Sequence, residues 1–208
     1  MLKIWGRNNG MNVIKTMWCI GELGLEYERV DWAGSFGGND DPQYRAMNPT
    51  GRVPTIREDD GYTLWESGAI IRYLAEKHDF GGLYPADLRV RAEANKWMDW
   101  NATALQQQNR HFVFNLIRRA PADCKPDEIA AATEAWHELF AILDRHLADR
   151  PYVAGDAFSM GDIPVGATTY RYHYFVAERP DLPHLDAWYK RLQTRPAYRE
   201  HAMITPGW

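Results

Sequence analysis

Cysteine is scarce in this chain: Cys19 and Cys124 are the only two in 208 residues, too far apart for a zinc or redox pair. No apolar run approaches the roughly 20 residues of a membrane span. No basic block is present either. The 24 Lys and Arg and 28 Asp and Glu are mixed along the chain, giving a net charge of −4, which argues against nucleic acid or an anionic membrane as partner. The seven histidines have no ligand spacing, so no metal is expected. P-loop, GxGxxG, internal repeat and low-complexity tract are all missing. Met1-Leu2-Lys3-Ile4-Trp5 begins a strand pattern, not the apolar region of a signal peptide. These absences lead to the expectation of a reducing, cytoplasmic setting. Aromatic residues, in contrast, are plentiful: nine Trp, eleven Tyr and seven Phe, within 45% hydrophobic residues, supply a packed core and exclude disorder.

Residues 2–6 alternate as a buried strand. A polar loop, 7–12, leads to a helix with Val13, Met17, Ile20 and Gly24 on one face, for which Asn9 or Asn12 is the cap and Gly24 the stop. Residues 27–32 alternate again. Strand, helix, strand is a βαβ unit with parallel strands. A Gly/Asn/Asp-rich loop and a short helical turn at 42–47 follow. Then comes Asn48-Pro49-Thr50-Gly51-Arg52-Val53-Pro54-Thr55-Ile56, a strand entered through a proline, with Val53-Pro54 a candidate cis bond. A turn at Asp59-Asp60-Gly61 and a second strand precede a helix over 66–78 opened by Glu66-Ser67. Taken alone, this is a hairpin running into a helix. It also sets an extended edge beside a helix N-terminus, where free N–H groups favour a carboxylate.

Phe80-Gly81-Gly82-Leu83-Tyr84-Pro85 punctuates the chain, and only helical spacing follows it, through Trp97, Trp136, Leu143 and Trp188 among others. The division expected is 1–80, an α/β domain of thioredoxin-like order; 81–88, a linker; and 89–208, all-helical. Ser159-Met160-Gly161-Asp162 has the form of a capping box, with Phe158 and Ile163 at the staple positions.

The pattern Asn48, Pro49, Gly51, Val53, Pro54, then Glu66, Ser67, Ala69, Ile70, Tyr73, Leu74 resembles the glutathione site of the glutathione transferase superfamily. Gly155, Asp156, Phe158, Ser159 and Asp162 resemble its capping motif. The resemblance implies the two-domain transferase fold, glutathione as co-substrate, a homodimer and a cytoplasmic detoxifying enzyme of the bacterial theta-like or nu-like kind. It assigns the Val53 backbone to the cysteinyl amide, and Glu66 and Ser67 to the ammonium and carboxylate of the γ-glutamyl end. Arg52, where the family often has Lys or Gln, falls to the glycyl carboxylate.

The reaction needs a thiolate, because the thiolate is the nucleophile. Free thiol titrates near about 8.5, so two units of lowering amount to about 3 kcal/mol. In this superfamily the sulfur's donor is a Tyr on the first strand or a Ser or Cys in the next loop. Here Trp5 stands on the strand and Gly10 at the Ser position, while Cys19 falls two turns into the helix and reads as core. Asn12, which matches an Asn near the sulfur in the nu branch, is the leading donor, followed by Asn9 and Arg7. The electrophile pocket is expected between the domains, with Trp5, Phe36, Asn101 and Gln108 on its wall and His111 nearby. The missing Ser admits peroxide or disulfide reduction beside conjugation. It also admits a second class of function, a module of the same fold that binds ligands or proteins without turnover.

Overall fold

The computed structural model describes residues 1–207; Trp208, the end of the tail, lies outside the described residues. The chain opens with a four-stranded sheet, ordered β2-β1-β3-β4, built from β1 (Leu2–Trp5), β2 (Tyr27–Val30), β3 (Thr55–Arg57) and β4 (Thr63–Trp65). β1 and β2 are parallel, with Leu2 opposite Tyr27 and Trp5 opposite Val30. Parallel strands need a crossover, and α1 (Met11–Glu22) provides it. β3 runs antiparallel to β1, Ile4 facing Ile56, and β4 antiparallel to β3. With α2 (Pro42–Met47) and α3 (Ser67–His78) the order is the thioredoxin-like one expected from the sequence, and the Val53–Pro54 bond is cis.

Strand alternation decides which side chains face the core. Ile4 and Ile56 are fully buried in it. Trp5 belongs to the other set, with the Lys3 and Arg57 cations 5.5 and 5.4 Å from its ring centroid.

α4 (Leu88–Trp100) runs on through a π-helical segment, Asn101–Leu105, into α5 (Gln106–Val113) and a second π-helical segment, Phe114–Arg118. α6 (Pro126–His146), α7 (Asp162–Phe175), α8 (Pro183–Gln193) and α9 (Pro196–His201) complete the helical part. α1 lies between α3 on one side and α7 and α9 on the other. It is therefore buried nearly all round, Lys15 and Thr16 included, where the sequence pattern suggests one apolar face. α7 is the central helix. At Gly166 a Cβ would lie 2.5 Å from Leu192 and 2.9 Å from Trp18, so glycine lets α1, α7 and α8 close up. Aromatic stacks fill the space toward α6: Phe112 on Trp136 at 4.4 Å and Phe140 on Tyr172 at 4.2 Å.

Polar links hold the two parts together. Glu22 of α1 accepts from Arg195 through both oxygens, at 2.8 and 2.7 Å, and from the Trp18 indole at 2.7 Å. At the head of α7, Asp162 accepts from Val153 N–H, Ser159 N–H, the Ser159 hydroxyl and the Trp188 indole. The box differs from the sequence expectation in one bond, since the Ser159 hydroxyl accepts from Gly161 N–H while Asp162 N–H bonds the Ser159 carbonyl. Burial pushes the Asp162 carboxyl up to about 6, against the pull of its four donors.

Candidate active site

Between the sheet part and α4, α5 and α7 lies a cavity of about 920 Å³. Two helix N-termini open onto it. Gly10, Met11, Asn12 and Val13 bring the head of α1, and Ser67, Gly68 and Ala69 the head of α3. Each head carries N–H groups that helical bonding leaves over, at the positive end of a dipole. An anionic ligand is favoured at both.

The Arg52–Val53 edge forms the wall beside α3. Its position is set by the segment before it. The Asn48 amide donates to the Arg52 carbonyl at 2.7 Å and the Thr55 hydroxyl at 2.9 Å, and accepts from Thr50 N–H and hydroxyl at 3.1 and 2.7 Å. The Tyr44 hydroxyl donates to the same Arg52 carbonyl at 2.6 Å. Gly51 sits at φ +65, with Asn39 O 2.6 Å from where a Cβ would stand, so the turn admits only glycine. The Asn-Pro-Thr-Gly pattern is thus the frame of the edge. Pro54 is buried behind the wall and not on it.

Glu66 precedes α3 at φ +70, ψ 110, a conformation that a side-chain-bearing residue rarely adopts. Such strain costs about 1–3 kcal/mol and gathers at ligand sites. Glu66 lies on the cavity wall with Lys15 of α1 as its charged neighbour. Burial draws the Lys15 ammonium down to about 8, and Glu66 partly offsets this.

Arg7, Asn9 and Asn12 all reach the wall, but neither asparagine caps α1. Gly10 holds the cap position with no side-chain bond, at φ −73 and ψ 122. Asn12, one residue into the helix, is exposed and lines the cavity. Arg7 is 9% exposed, not the surface residue its loop suggests, and burial lowers its pKa. Cys19 is core, as expected: its thiol is buried, bonded to Ile71 O, and pushed up by burial.

Three residues expected on the electrophile wall are elsewhere. Trp5 is on the far face of β1. Phe36 is 57% exposed, because its short 3₁₀ turn, Gly34–Phe36, gives Gly34 to the cavity and turns the ring outward. Gln108 lies off the helix face that carries Gln106, Asn109, Arg110 and Val113. His111 pairs at 3.9 Å with Glu128 outside the cavity. Asn101 is on the wall and fully buried, accepting from the Thr168 hydroxyl at 2.7 Å.

Lys15, Arg110, Arg118 and Arg171, which no sequence motif marks, are also on the wall. Arg171 of α7 is 2% exposed and donates from Nη2 to the Asn9 carbonyl at 3.0 Å, fixing the loop before α1 from the helical side. Buried polar atoms without a partner among the described residues collect around the cavity: Arg171 Nη1, Asn101 Nδ2, Gln106 Nε2, Asn9 Oδ1 and Asn109 Oδ1. Such groups are rare in folded proteins and mark places where a ligand or water completes the bonding.

Family models for the N-terminal and C-terminal domains of glutathione S-transferase match residues 1–76 and 126–191. Glutathione S-transferase GstB of Escherichia coli K12 is 38% identical over 98% of this chain and 99% of its own length. The theta class glutathione S-transferase of Xanthomonas axonopodis pv. citri, solved with glutathione bound, is 44% identical over 98% of both chains, with a TM-score of 0.92. Glutathione transferase F7 of Populus trichocarpa is 26% identical over 99% of this chain and 100% of its own, with a TM-score of 0.83. On sequence and fold alike, the chain belongs to the glutathione S-transferase family.

Proposed function

We propose that the cavity binds glutathione between the heads of α1 and α3 and delivers its sulfur, as thiolate, to an electrophilic small molecule. One observation carries this: the Arg52–Val53 edge, Glu66 and Ser67 at the head of α3, and Arg7, Asn9 and Asn12 around the head of α1 face one cavity from three sides. The γ-glutamyl carboxylate takes the Ser67 side of α3, with free N–H groups and the helix dipole. The ammonium takes Glu66, the glycyl carboxylate Arg52, and the cysteinyl amide the Val53 backbone. The sulfur then comes to the head of α1. Asn12 donates to it, with Asn9, Arg7 and the first N–H groups of α1 adding positive potential.

The thiol proton leaves to solvent, the thiolate adds to the electrophilic carbon, and the leaving group departs with its electron pair. Conjugation is the activity this arrangement supports best. The same reading makes the protein a homodimer in a reducing cytoplasm, in keeping with two free cysteines.

Ultraviolet difference titration with glutathione across pH tests the proposal. Saturable binding, with thiolate absorbance appearing well below the free thiol's value, is the expected result. Binding with an unshifted thiol would replace the enzyme by a carrier, the reading that Gly10 favours. No binding would leave only the fold.

A further inference from the structure

Lys15 is the one lysine that the fold encloses: it is 5% exposed and lines the cavity from α1. Lys3, Lys77, Lys96 and Lys125 each pair with a glutamate. Among the described residues no carboxylate pairs with Lys15, and Glu66 acts on it through its field alone. At about 8 its ammonium is lowered by burial yet still charged at neutral pH. A buried charge without a bonding partner is costly, and an anion in the cavity relieves that cost.

Helix geometry gives the place of this charge. The Cys19 thiol bonds the Ile71 carbonyl of α3. Residues four apart share a helix face. One turn back from Cys19 is Lys15, and one turn back from Ile71 is Ser67. The heads of α1 and α3 open onto the same cavity, so the two helices run the same way there. Lys15 therefore stands beside the first turn of α3, and Glu66, one residue ahead of that turn, is the carboxylate whose field it feels.

Lys15 and Glu66 are thus a cation and an anion set close together without bonding each other. An α-amino acid head carries the matching pair, a carboxylate and an ammonium on one carbon. Placed between the two side chains it meets both charges, whereas a lone amine or a lone carboxylate meets one.

We propose that Lys15 binds the α-carboxylate of the γ-glutamyl end, opposite Ser67, so that the amino-acid head of glutathione bridges Lys15 and Glu66. This rests on the glutathione reading of the α3 side. It makes the cavity selective for thiols that carry a free α-amino acid head, and Lys15 the residue that rejects a thiol peptide lacking the carboxylate.

The test is calorimetric binding at neutral pH of two ligands with the thiol blocked. One is S-methylglutathione. The other has 4-aminobutanoyl in place of γ-glutamyl, which keeps the ammonium and lacks the α-carboxylate. Lys15→Met keeps the length of the stem and removes a buried charge, a change that folding tolerates; Lys15→Gln is the second variant. Either should weaken S-methylglutathione by about tenfold or more, the scale of one bond between charged groups. Binding of the 4-aminobutanoyl ligand should change by less than about twofold. Glu66→Gln should weaken both ligands, because both carry the ammonium. Equal losses on the two ligands in the Lys15 variants would make Lys15 a support for Glu66 or for the fold, and would overturn the proposal; so would no loss on either. Wild-type binding of S-methylglutathione separates the two readings. If it is absent, the glutathione reading falls and takes this one with it. If it is present while the Lys15 variants lose both ligands equally, the role of Lys15 falls alone.

Discussion

Replacing Asn12 by alanine separates sulfur activation from glutathione binding. Moving a thiol from about 8.5 to about 6.5 takes about 3 kcal/mol. The head of α1 supplies about 0.3–1 kcal/mol through its dipole, rising to about 2 in a half-buried setting. A side-chain donor to a charged acceptor supplies about 1.5–3 kcal/mol. Gly10 has no side chain to contribute, and the Asn9 amide shares the crowded side of the loop with Gly207, from which a Cβ would be 2.8 Å. Asn12 therefore carries the larger share. Its loss should raise the bound thiol by about one to two pH units. At about pH 6, where the wild-type thiolate is a minority form, turnover should drop by about tenfold or more. At about pH 5.5 both proteins bind the thiol form, so affinity there should scarcely change. The assay is the ultraviolet thiolate titration together with equilibrium binding at the lower pH. An unshifted thiol, or an equal loss of affinity at low pH, refutes the role. A second arm is Gly10→Ser in the Asn12→Ala background. Its backbone, φ −73 and ψ 122, accepts any residue, and the new Cβ would stand 3.3 Å from Arg7 O, a contact relieved by a small shift. The added hydroxyl should bring the thiol back down.

Asn48→Ala removes the frame of the Arg52–Val53 edge. It should cost about 2–3 kcal/mol of stability in urea unfolding and raise the KM for glutathione more than it lowers kcat; a change in kcat alone would contradict the bracing role. Asp162→Ala strands Val153 N–H, Ser159 N–H and the Trp188 indole, and should cost about 3–5 kcal/mol by the same measurement. Lys15, held at about 8 in the folded protein against 10.5 in the unfolded chain, binds fewer protons when folded between those values. Stability therefore rises with pH across that window, by about 3 kcal/mol for a shift of this size. Lys15→Met should remove that rise when the two unfolding free energies are compared from pH 8 upward, and parallel profiles would show Lys15 to be fully charged in the fold.

The sheet part was legible because each signal there is local. Strands β1 and β2 alternate, Gly24 stops α1 at φ +61, and Asn48 to Pro54 is a short stretch whose hydrogen bonds close on itself. Arg52, Val53, Glu66 and Ser67 followed from that stretch and from the head of α3. Lys15 was not legible, because its burial depends on α7 and α9 packing on the second face of α1, which no periodicity within residues 11–22 announces. Trp5 and Phe36 were misplaced for a related reason. An aromatic side chain near a cleft is read as lining it, whereas strand alternation and one 3₁₀ turn send these two away.

The electrophile wall was hidden by the pitch of its helix. Asn101 and Asn109 are eight residues apart, as are Arg110 and Arg118. In an uninterrupted α-helix that spacing leaves members of a pair about 80° apart round the axis. A search for one face at 3.6 residues per turn selects Gln108 and separates Arg110 from Arg118. The two π-helical segments, Asn101–Leu105 and Phe114–Arg118, bond to the fifth residue and hold an extra residue per turn. Each takes up most of the offset, so both pairs come round to the cavity. Arg118 ends the second segment with its guanidinium 4.9 Å from the Phe114 ring centroid, a contact that steadies a long side chain in the cleft. The same two segments that defeat the pattern search thus assemble the polar wall, and π-helical turns do gather at functional sites.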